Sequence, residues 1–377
     1  MEVIVAGGGV AGAAGAVALR RIGARVTVYE AHDDPAGQVG SFLSLASNGL
    51  RALDALGCLG QVQEAGFAVP RQKIWSSSGR LLGDVPRGRL SGDDLHSVTL
   101  MRGRLVETLR ERALAAGARI VTGQRLTGAV TGPAHVNATF SGGGTARADL
   151  LVGADGIWSA TRTLLDPAAP TPAYAGMYQL SGVSEGLDLE PGSFNMVFAR
   201  GGAFLYLPAP DGTVWWSAQV AAPQPPDLAE IGLERVAEVY RSERVPSAVL
   251  AAATQVHRPT LDHVLGQVPR WHDERIALVG DAAHPVGAGQ GASMAIEDAV
   301  VLARCLEAGE SIPAALADYD RVRRARVARM VKVAGGNRDT KTAGPLGRTL
   351  NNLVMSIFFR HFHEKATAWL YADSAAA

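Results

Sequence analysis

The sequence predicts an α/β protein with a discontinuous parallel-sheet domain, an inserted mixed β-sheet domain and C-terminal helices. Three observations carry this expectation. A glycine-rich turn, Gly7–Gly12, stands between a buried strand and a helix. Buried-strand patterns return far along the chain, at Leu150–Val152 and Arg275–Val279. Between those two runs lie short, aromatic-rich strands broken by Gly and Pro turns. A glycine turn of this kind marks a Rossmann-like unit, so the flanking segments read as one domain and the aromatic stretch as an insertion.

The elements follow in chain order. Glu2–Ala6 is a short apolar run, the pattern of a buried parallel strand. Ala13–Ile22 has helical spacing and stops at Gly23, a C-terminal cap, and Arg25–Glu30 is the next strand of a βαβ unit. Lys73–Val85 reads as a hairpin with Ser78-Gly79 at its tip. Ser47–Leu56 and Met101–Ala116 read as helices, the second closed by Gly117, and Arg119–Thr122 and Val136–Phe140 as strands. From Ala173 to Val220 the strands are Phe194–Ala199, Phe204–Leu207 and Val214–Val220. A Pro-rich link, Pro223–Pro226, precedes a helix over Leu233–Arg244. Ala292–Ala308, Ala314–Val333 and Met355–Tyr371 read as the closing helices. The division expected is 1–70, 98–170 and 265–335 for the nucleotide domain, 71–97 and 171–264 for the insertion, and 336–377 for a C-terminal helical segment.

Composition narrows the functional classes. Among 377 residues the 36 basic and 36 acidic side chains balance, which argues against nucleic acid or an anionic membrane as partner. All but four of the basic residues are arginine, the exceptions being Lys73, Lys332, Lys341 and Lys365. Two cysteines, Cys58 and Cys305, make no disulfide framework, and together with an N-terminus lacking a basic n-region they point to a cytoplasmic protein. No run of 18 or more apolar residues predicts a membrane span. The absence of CxxC and HExxH patterns predicts no metal site, and no strand-turn-helix nucleophile elbow is read that would suggest a serine hydrolase.

Chemistry is concentrated in three motifs. In Gly7-x-Gly9-x-x-Gly12, Gly7 permits the tight turn, Gly9 lets backbone approach a pyrophosphate, and Gly12 lets helix and strand pack closely. Val10 and Ala11 lie within this turn, just before the helix whose N-terminal amides face that phosphate. Glu30, followed by Ala31, ends the second strand; its carboxylate suits the hydroxyls of an adenosine ribose and repels a 2′-phosphate. The second motif is Gly153-Ala154-Asp155-Gly156-Ile157-Trp158-Ser159-x-x-Arg162. The third is Gly280-Asp281-Ala282-Ala283-His284-Pro285, continued by Gly289-Gln290-Gly291-Ala292 at a helix start.

These three motifs in this order resemble the single-component flavin monooxygenases of the para-hydroxybenzoate hydroxylase type, the group A flavin monooxygenases. The resemblance covers most of 1–165 and 270–335 and is looser from 170 to 265. It implies FAD as cofactor, with Gly7, Gly9, Gly12 and Glu30 at the ADP half. Asp155 matches the motif placed near the pyrophosphate and implicated in NADH or NADPH use. Gly280 and Asp281 match the ribityl contact, and Pro285 with Gly289, Gln290, Gly291 and Ala292 the segment facing the flavin ring. Arg102 resembles the arginine opening a FAD-contacting helix, with Arg104 as the competing assignment. The loop Gly40–Gly49 resembles the one following the second strand, except that Ser47 stands where the family commonly has proline.

The resemblance further implies an NAD(P)H-consuming, FAD-dependent monooxygenase that hydroxylates or epoxidises a small molecule with O2, through a flavin C4a-hydroperoxide. The alternative is a non-oxygenating FAD-dependent reductase on the same scaffold. No protein side chain is singled out as catalytic, because the cofactor carries the chemistry. The substrate pocket is expected against the aromatic sheet, lined by Met196, Phe198, Phe204, Tyr206 and Trp216, an apolar or aromatic lining. Between Gly192 and Val220 only Arg200 and Asp211 are charged, which weakens the case for a strongly anionic substrate. The protein is expected to act as a monomer or homodimer.

Overall fold

The five segments read as strands of the nucleotide domain do pair in parallel, and their order sets out that domain. In this computed structural model, residues 1–33, 41–286, 289–341 (main chain only from 331), 355–359 and 362–371 are described. The strands lie in the order Ile276–Leu278, Leu150–Gly153, Glu2–Ala6, Arg25–Tyr29, Arg119–Val121. Val3, Ile4 and Val5 are all buried, since a parallel strand is covered on both faces. The helix Val10–Arg21 lies on this sheet and packs against the helix Gly291–Ala308. Its buried Ala13, Ala14, Ala16 and Ala18 let the two backbones come close.

The inserted sheet has eight strands. Ser193–Ala199 pairs in parallel with Arg71–Ser76, and the other pairs are antiparallel, so the sheet is mixed. The hairpin expected near Lys73–Val85 is Arg71–Ser76 with Leu81–Pro86, and it joins this sheet. One face is covered by the helices Leu233–Val239 and Arg244–Ala251 through a core that includes Phe204, Trp216, Val236, Tyr240 and Val249. The other face looks toward the parallel sheet. A third, smaller sheet of Phe42–Leu45, Val98–Met101 and Phe67–Ala68 stands at the junction.

Three local expectations are corrected. The helix placed over Leu233–Arg244 ends at Val239, and a new helix runs over Arg244–Ala251. Pro246 explains the break: it has no N–H for an intrahelical bond and is tolerated only in a first turn. The strand Ala173–Ser184 is twelve residues long but was not anticipated. Its two glycines disguise it, and Gly182 is required because a Cβ there would stand 2.5 Å from the Trp216 ring. The last helix is described as a helical stretch at 355–359 and a helix His363–Tyr371, rather than one continuous element. Gly40, Gly287 and much of 336–377 lie outside the described residues. No described helix is long and apolar enough to cross a membrane.

A buried ionic network ties the end of the chain to the third motif. Asp298, in the helix Gly291–Ala308, accepts from Gly280 N at 2.8 Å and from His284 Nε2 at 2.6 Å. Its other oxygen accepts from Arg323 Nε at 2.6 Å. Arg323 Nη1 donates to Glu297, which also accepts from Asn48 and from Arg326. Arg326 reaches the carbonyls of Trp369 and Leu370 at the end of the terminal helix, where a cation meets the negative end of the helix dipole. Arg51 binds the next carbonyl, that of Tyr371. Burial opposes ionisation of Asp298 and Glu297. The Arg323 guanidinium, with His284 beside Asp298 and Arg326 beside Glu297, more than offsets it and holds both carboxyls below their ordinary range.

Removing the central cation therefore strands two buried acids. Arg323→Met should lower unfolding free energy by about 3–5 kcal/mol, read from urea unfolding at neutral pH. Both carboxyls have depressed folded pKa values. Their stabilisation is thus full above the ordinary carboxylate range and lost as pH falls through the folded values. The gap between wild type and Arg323→Met should accordingly shrink in acid; a gap independent of pH would contradict this assignment.

Candidate active site

All three motifs leave the same edge of the parallel sheet. Ala6 pairs with Gly153, and Gly153 pairs with Leu278, so the turns after these strands are neighbours. Such an edge, at the carboxyl ends of the strands, is where open α/β sheets bind ligands. Gly7 has φ +100°, and a Cβ on it would lie 2.5 Å from the Ala154 carbonyl oxygen. At Gly12 the added Cβ would meet the Gly7 carbonyl oxygen at 1.9 Å. At Gly9 it would meet nothing within 4 Å, because that Cα faces open space. The helix Val10–Arg21 has no side-chain cap and no acid in its first turn, so its N-terminal amides are open to an anion. The helix Gly291–Ala308 begins in the same way.

The charged groups take distinct places. Glu30 is buried and accepts from Gly8 N at 2.7 Å and His32 N at 2.9 Å. A carboxylate has about four acceptor sites, so it keeps capacity for two hydroxyls. Asp155 turns inward: it accepts from the Ser159 hydroxyl and from both N and Oγ1 of Thr161, capping the short helix Ala160–Leu165. Arg162 then bridges the second and third motifs, donating to Ile157 O at 2.7 Å and Ala282 O at 3.0 Å. Asp281 differs. Among the described residues no group hydrogen-bonds its carboxyl, and burial raises its pKa despite the nearby charges of His284 and Arg102. Arg102 lines the same cavity; Arg104 does not, and pairs with Glu107 at 2.7 Å.

A single cavity of ≈ 700 Å³ connects these groups to the inserted sheet. Gly7, Gly9, Val10, Ala11, Glu30 and Ala31 line one end, and Arg102, Asp155, Asp281, Gly289, Gly291 and Ala292 the middle. Gly12, Gly280, Pro285 and Gln290 stand behind this lining. Gln290 is buried, with its Oε1 unpartnered among the described residues.

The far wall is not the one expected. Phe204, Tyr206 and Trp216 point to the opposite face of the sheet, buried in the core beneath the two covering helices. Side chains alternate across a strand, and the odd-numbered Leu205 reaches the cavity instead. Met196 shares the cavity-side face but packs into a cluster with Val69, Phe194 and Leu207. Phe198 packs with Ile74, Leu82 and Val85. The cavity is closed by Phe194, Leu205, Phe42 and Leu43, with Arg87 among them. Arg87 brings a cation from outside the stretch Gly192–Val220, whose scarcity of charge had been read as weakening the case for a strongly anionic substrate. Trp158, exposed in the second motif, lies 5.0 Å edge-on to His263 of the inserted sheet at the cavity mouth. Leu205 and Arg87 were not legible beforehand, and Phe42, Leu43 and Trp158 lay inside the recognised loop and the second motif without being singled out. Phe194 alone carried a usable signal, as the first aromatic of its strand.

Comparison with known proteins agrees with this geometry. The FAD binding domain family matches residues 1–334. The aurachin C monooxygenase/isomerase of Stigmatella aurantiaca is 34% identical over 338 residues, which are 86% of this chain and 85% of that protein. The 3-hydroxybenzoate 6-hydroxylase 1 of Aquipseudomonas alcaligenes is 30% identical over 347 residues, covering 87% and 86%. Among solved structures, Klebsiella pneumoniae HpxO complexed with FAD and uric acid superposes with a TM-score of 0.85 at 25% identity, over 98% of this chain and 97% of that one. The chain therefore belongs to the FAD binding domain family and is an FAD-dependent monooxygenase of the group A type.

Proposed function

We propose that this monooxygenase holds FAD along the whole cavity and oxygenates a small aromatic molecule in the space between the flavin ring and the Phe194–Leu205 wall. One observation carries the reading: a continuous cavity runs from the open Cα of Gly9, past Asp281, whose carboxyl no described residue hydrogen-bonds, to an apolar sheet face. In this reading the pyrophosphate lies over Gly9 at the N-terminus of Val10–Arg21. Glu30 accepts from the adenosine ribose, and Asp281 accepts from a hydroxyl of the ribityl chain. Arg102 balances the phosphate charge. The names of the relatives support an aromatic substrate, since they include a 3-hydroxybenzoate hydroxylase and an enzyme crystallised with uric acid.

Bound FAD, reduced by NAD(P)H, supplies the activation of O2. The protein supplies position and dryness. The Gly289–Ala292 turn presents backbone N–H groups toward the cavity, donors for an oxygen at the flavin ring. Phe42, Leu43, Phe194 and Leu205 exclude water from the reacting space and offer a flat ring apolar surface. Asp155, spent on its helix cap, holds the second motif in shape and leaves ligand contact to the backbone beside it.

Incubation with 18O2, NADH or NADPH and a panel of hydroxylated aromatic acids and bicyclic phenols tests the oxygenation. One labelled oxygen atom in the product supports it; a product free of label contradicts it. The acid has a sharper signature. Because burial raises the Asp281 pKa, its ionised form is strained at neutral pH, so Asp281→Asn should raise the melting temperature of the apoprotein. The same change should weaken FAD by about tenfold in flavin-fluorescence titrations. A destabilised apoprotein with undiminished FAD binding would refute the role. The two glycines should also part company. Gly12→Ala should destabilise the apoprotein by about 1–3 kcal/mol through overpacking. Gly9→Ala should change apoprotein stability by no more than about 1 kcal/mol while weakening FAD. Equal apoprotein stabilities would show that the Gly12 contact is not tight.

A further inference from the structure

A second cavity, of ≈ 620 Å³, opens between the strand Leu81–Pro86 and the terminal helix His363–Tyr371. It shares no lining residue with the cavity that runs past Gly9 and Asp281. Val85, Pro86, Leu90, Phe359 and Ala368 make its apolar part. Phe359 is seated firmly there. It packs against a cluster of Ile74, Leu82 and Val85, and Gly83 makes room for it, since a Cβ on that glycine would stand 2.7 Å away.

Polar contacts hold the helix wall at both of its ends. Ser91 donates its N–H and its hydroxyl to the two oxygens of Glu364, at 2.8 and 3.0 Å. At the far end Arg51 and Arg326 hold the carbonyls of Trp369, Leu370 and Tyr371. The space between helix and hairpin is therefore preformed, as ligand pockets commonly are.

The charges around it are unequal in what they have left to offer. Asp84 is paired with Arg71 at 2.8 Å. The carboxyl of Glu364 is engaged by Ser91, whose donors hold it below the ordinary carboxylate range. Burial pushes the His363 imidazole below its ordinary value, so the ring is neutral at pH 7. Lys365 also lines the cavity and forms no ion pair among the described residues. Both acids are thus answered by protein donors, and the unspent group is a cation beside an apolar floor.

We propose that this second cavity is a binding site for a small amphiphilic anion, an apolar body ending in a carboxylate. The body lies against Phe359 and Ala368, and the head accepts from Lys365. The site is separate from the reacting space yet adjoins it in the chain: Val85 and Pro86 line the one cavity and Arg87 the other.

Calorimetric titration of the FAD-loaded protein with octanoate tests the site. Octanamide, with the same chain and no charge, should bind about threefold weaker, the scale of an exposed ion pair. Lys365→Gln should weaken octanoate by about the same factor. Ala368→Trp fills the apolar floor and should weaken it by about tenfold or more. Leu205→Trp, which narrows the other cavity, should leave the affinity within about twofold, because the two places are independent. A footprint decides the matter if Ala368→Trp does not fold. Octanoate at about twice its Kd should slow acetylation of Lys365 by sulfo-N-hydroxysuccinimide acetate about threefold in the wild type. The rate at Lys73, which pairs with Glu190, should not change. No binding of octanoate, binding undiminished in Ala368→Trp, binding lost in Leu205→Trp, or an unprotected Lys365 overturns the proposal, and none of these results bears on where FAD sits.

Discussion

The carboxylate of Asp298 is the contact on which the site depends. It sits at the bottom of the third motif and fixes three things at once: the main chain at Gly280, the ring of His284, and the guanidinium of Arg323 from the following helix. An ionised carboxylate can only accept, so His284 must carry its proton on Nε2. That leaves the imidazole oriented by a buried partner, a positioning arrangement. The same network passes through Glu297 to Asn48 and Arg326, and Arg326 grips the last carbonyls of the terminal helix. A buried pair of acids with one shared arginine is poor material for net stability. Its use here is geometric, since it sets the turn that leads into Gly289–Ala292 against helices from distant parts of the chain.

The cavity itself is shaped by what is missing. Gly12 and Gly7 lack side chains so that the backbone turns can pack on one another, and Gly9 lacks one so that a ligand can. The two roles share one motif but have opposite consequences for the apoprotein. In the proposed reading Asp281 belongs with Gly9: it is a group the empty protein tolerates at a cost because the holoprotein would use it. Arg87, stacked on Phe194 with no carboxylate ion-paired to it among the described residues, stands at the far wall of the cavity.

Much of this was legible in the sequence wherever the signal is local. The Gly7–Gly12 turn, Glu30, the parallel strands and the inserted sheet depend on residues close together in the chain, and the structure places them as expected. The hairpin at 71–86 was legible too, including its membership of the inserted sheet. What was hidden depends on which way a strand faces and on what distant residues do. Phe204, Tyr206 and Trp216 are aromatic in a strand near the site, yet their parity sends them beneath the sheet. Leu205 lies between two more conspicuous neighbours and is the one that reaches the cavity. Arg87 sits at the end of a hairpin, in a stretch of ordinary charge, and nothing in its neighbourhood announces a stack on Phe194 more than a hundred positions away. Asp155 shows the converse. The motif was correctly found, but the carboxylate serves the helix cap and Arg162 makes the tertiary link.

The account stands on one cavity filled by one cofactor, and an experimental structure of the FAD-loaded protein tests that most directly. The account predicts pyrophosphate density over Gly9, a ribityl hydroxyl within hydrogen-bond distance of Asp281, and the flavin ring edge facing Phe194 and Leu205. A pyrophosphate seated away from the Gly9 turn, or a ring with its reactive edge turned from the Phe194 wall, would contradict it.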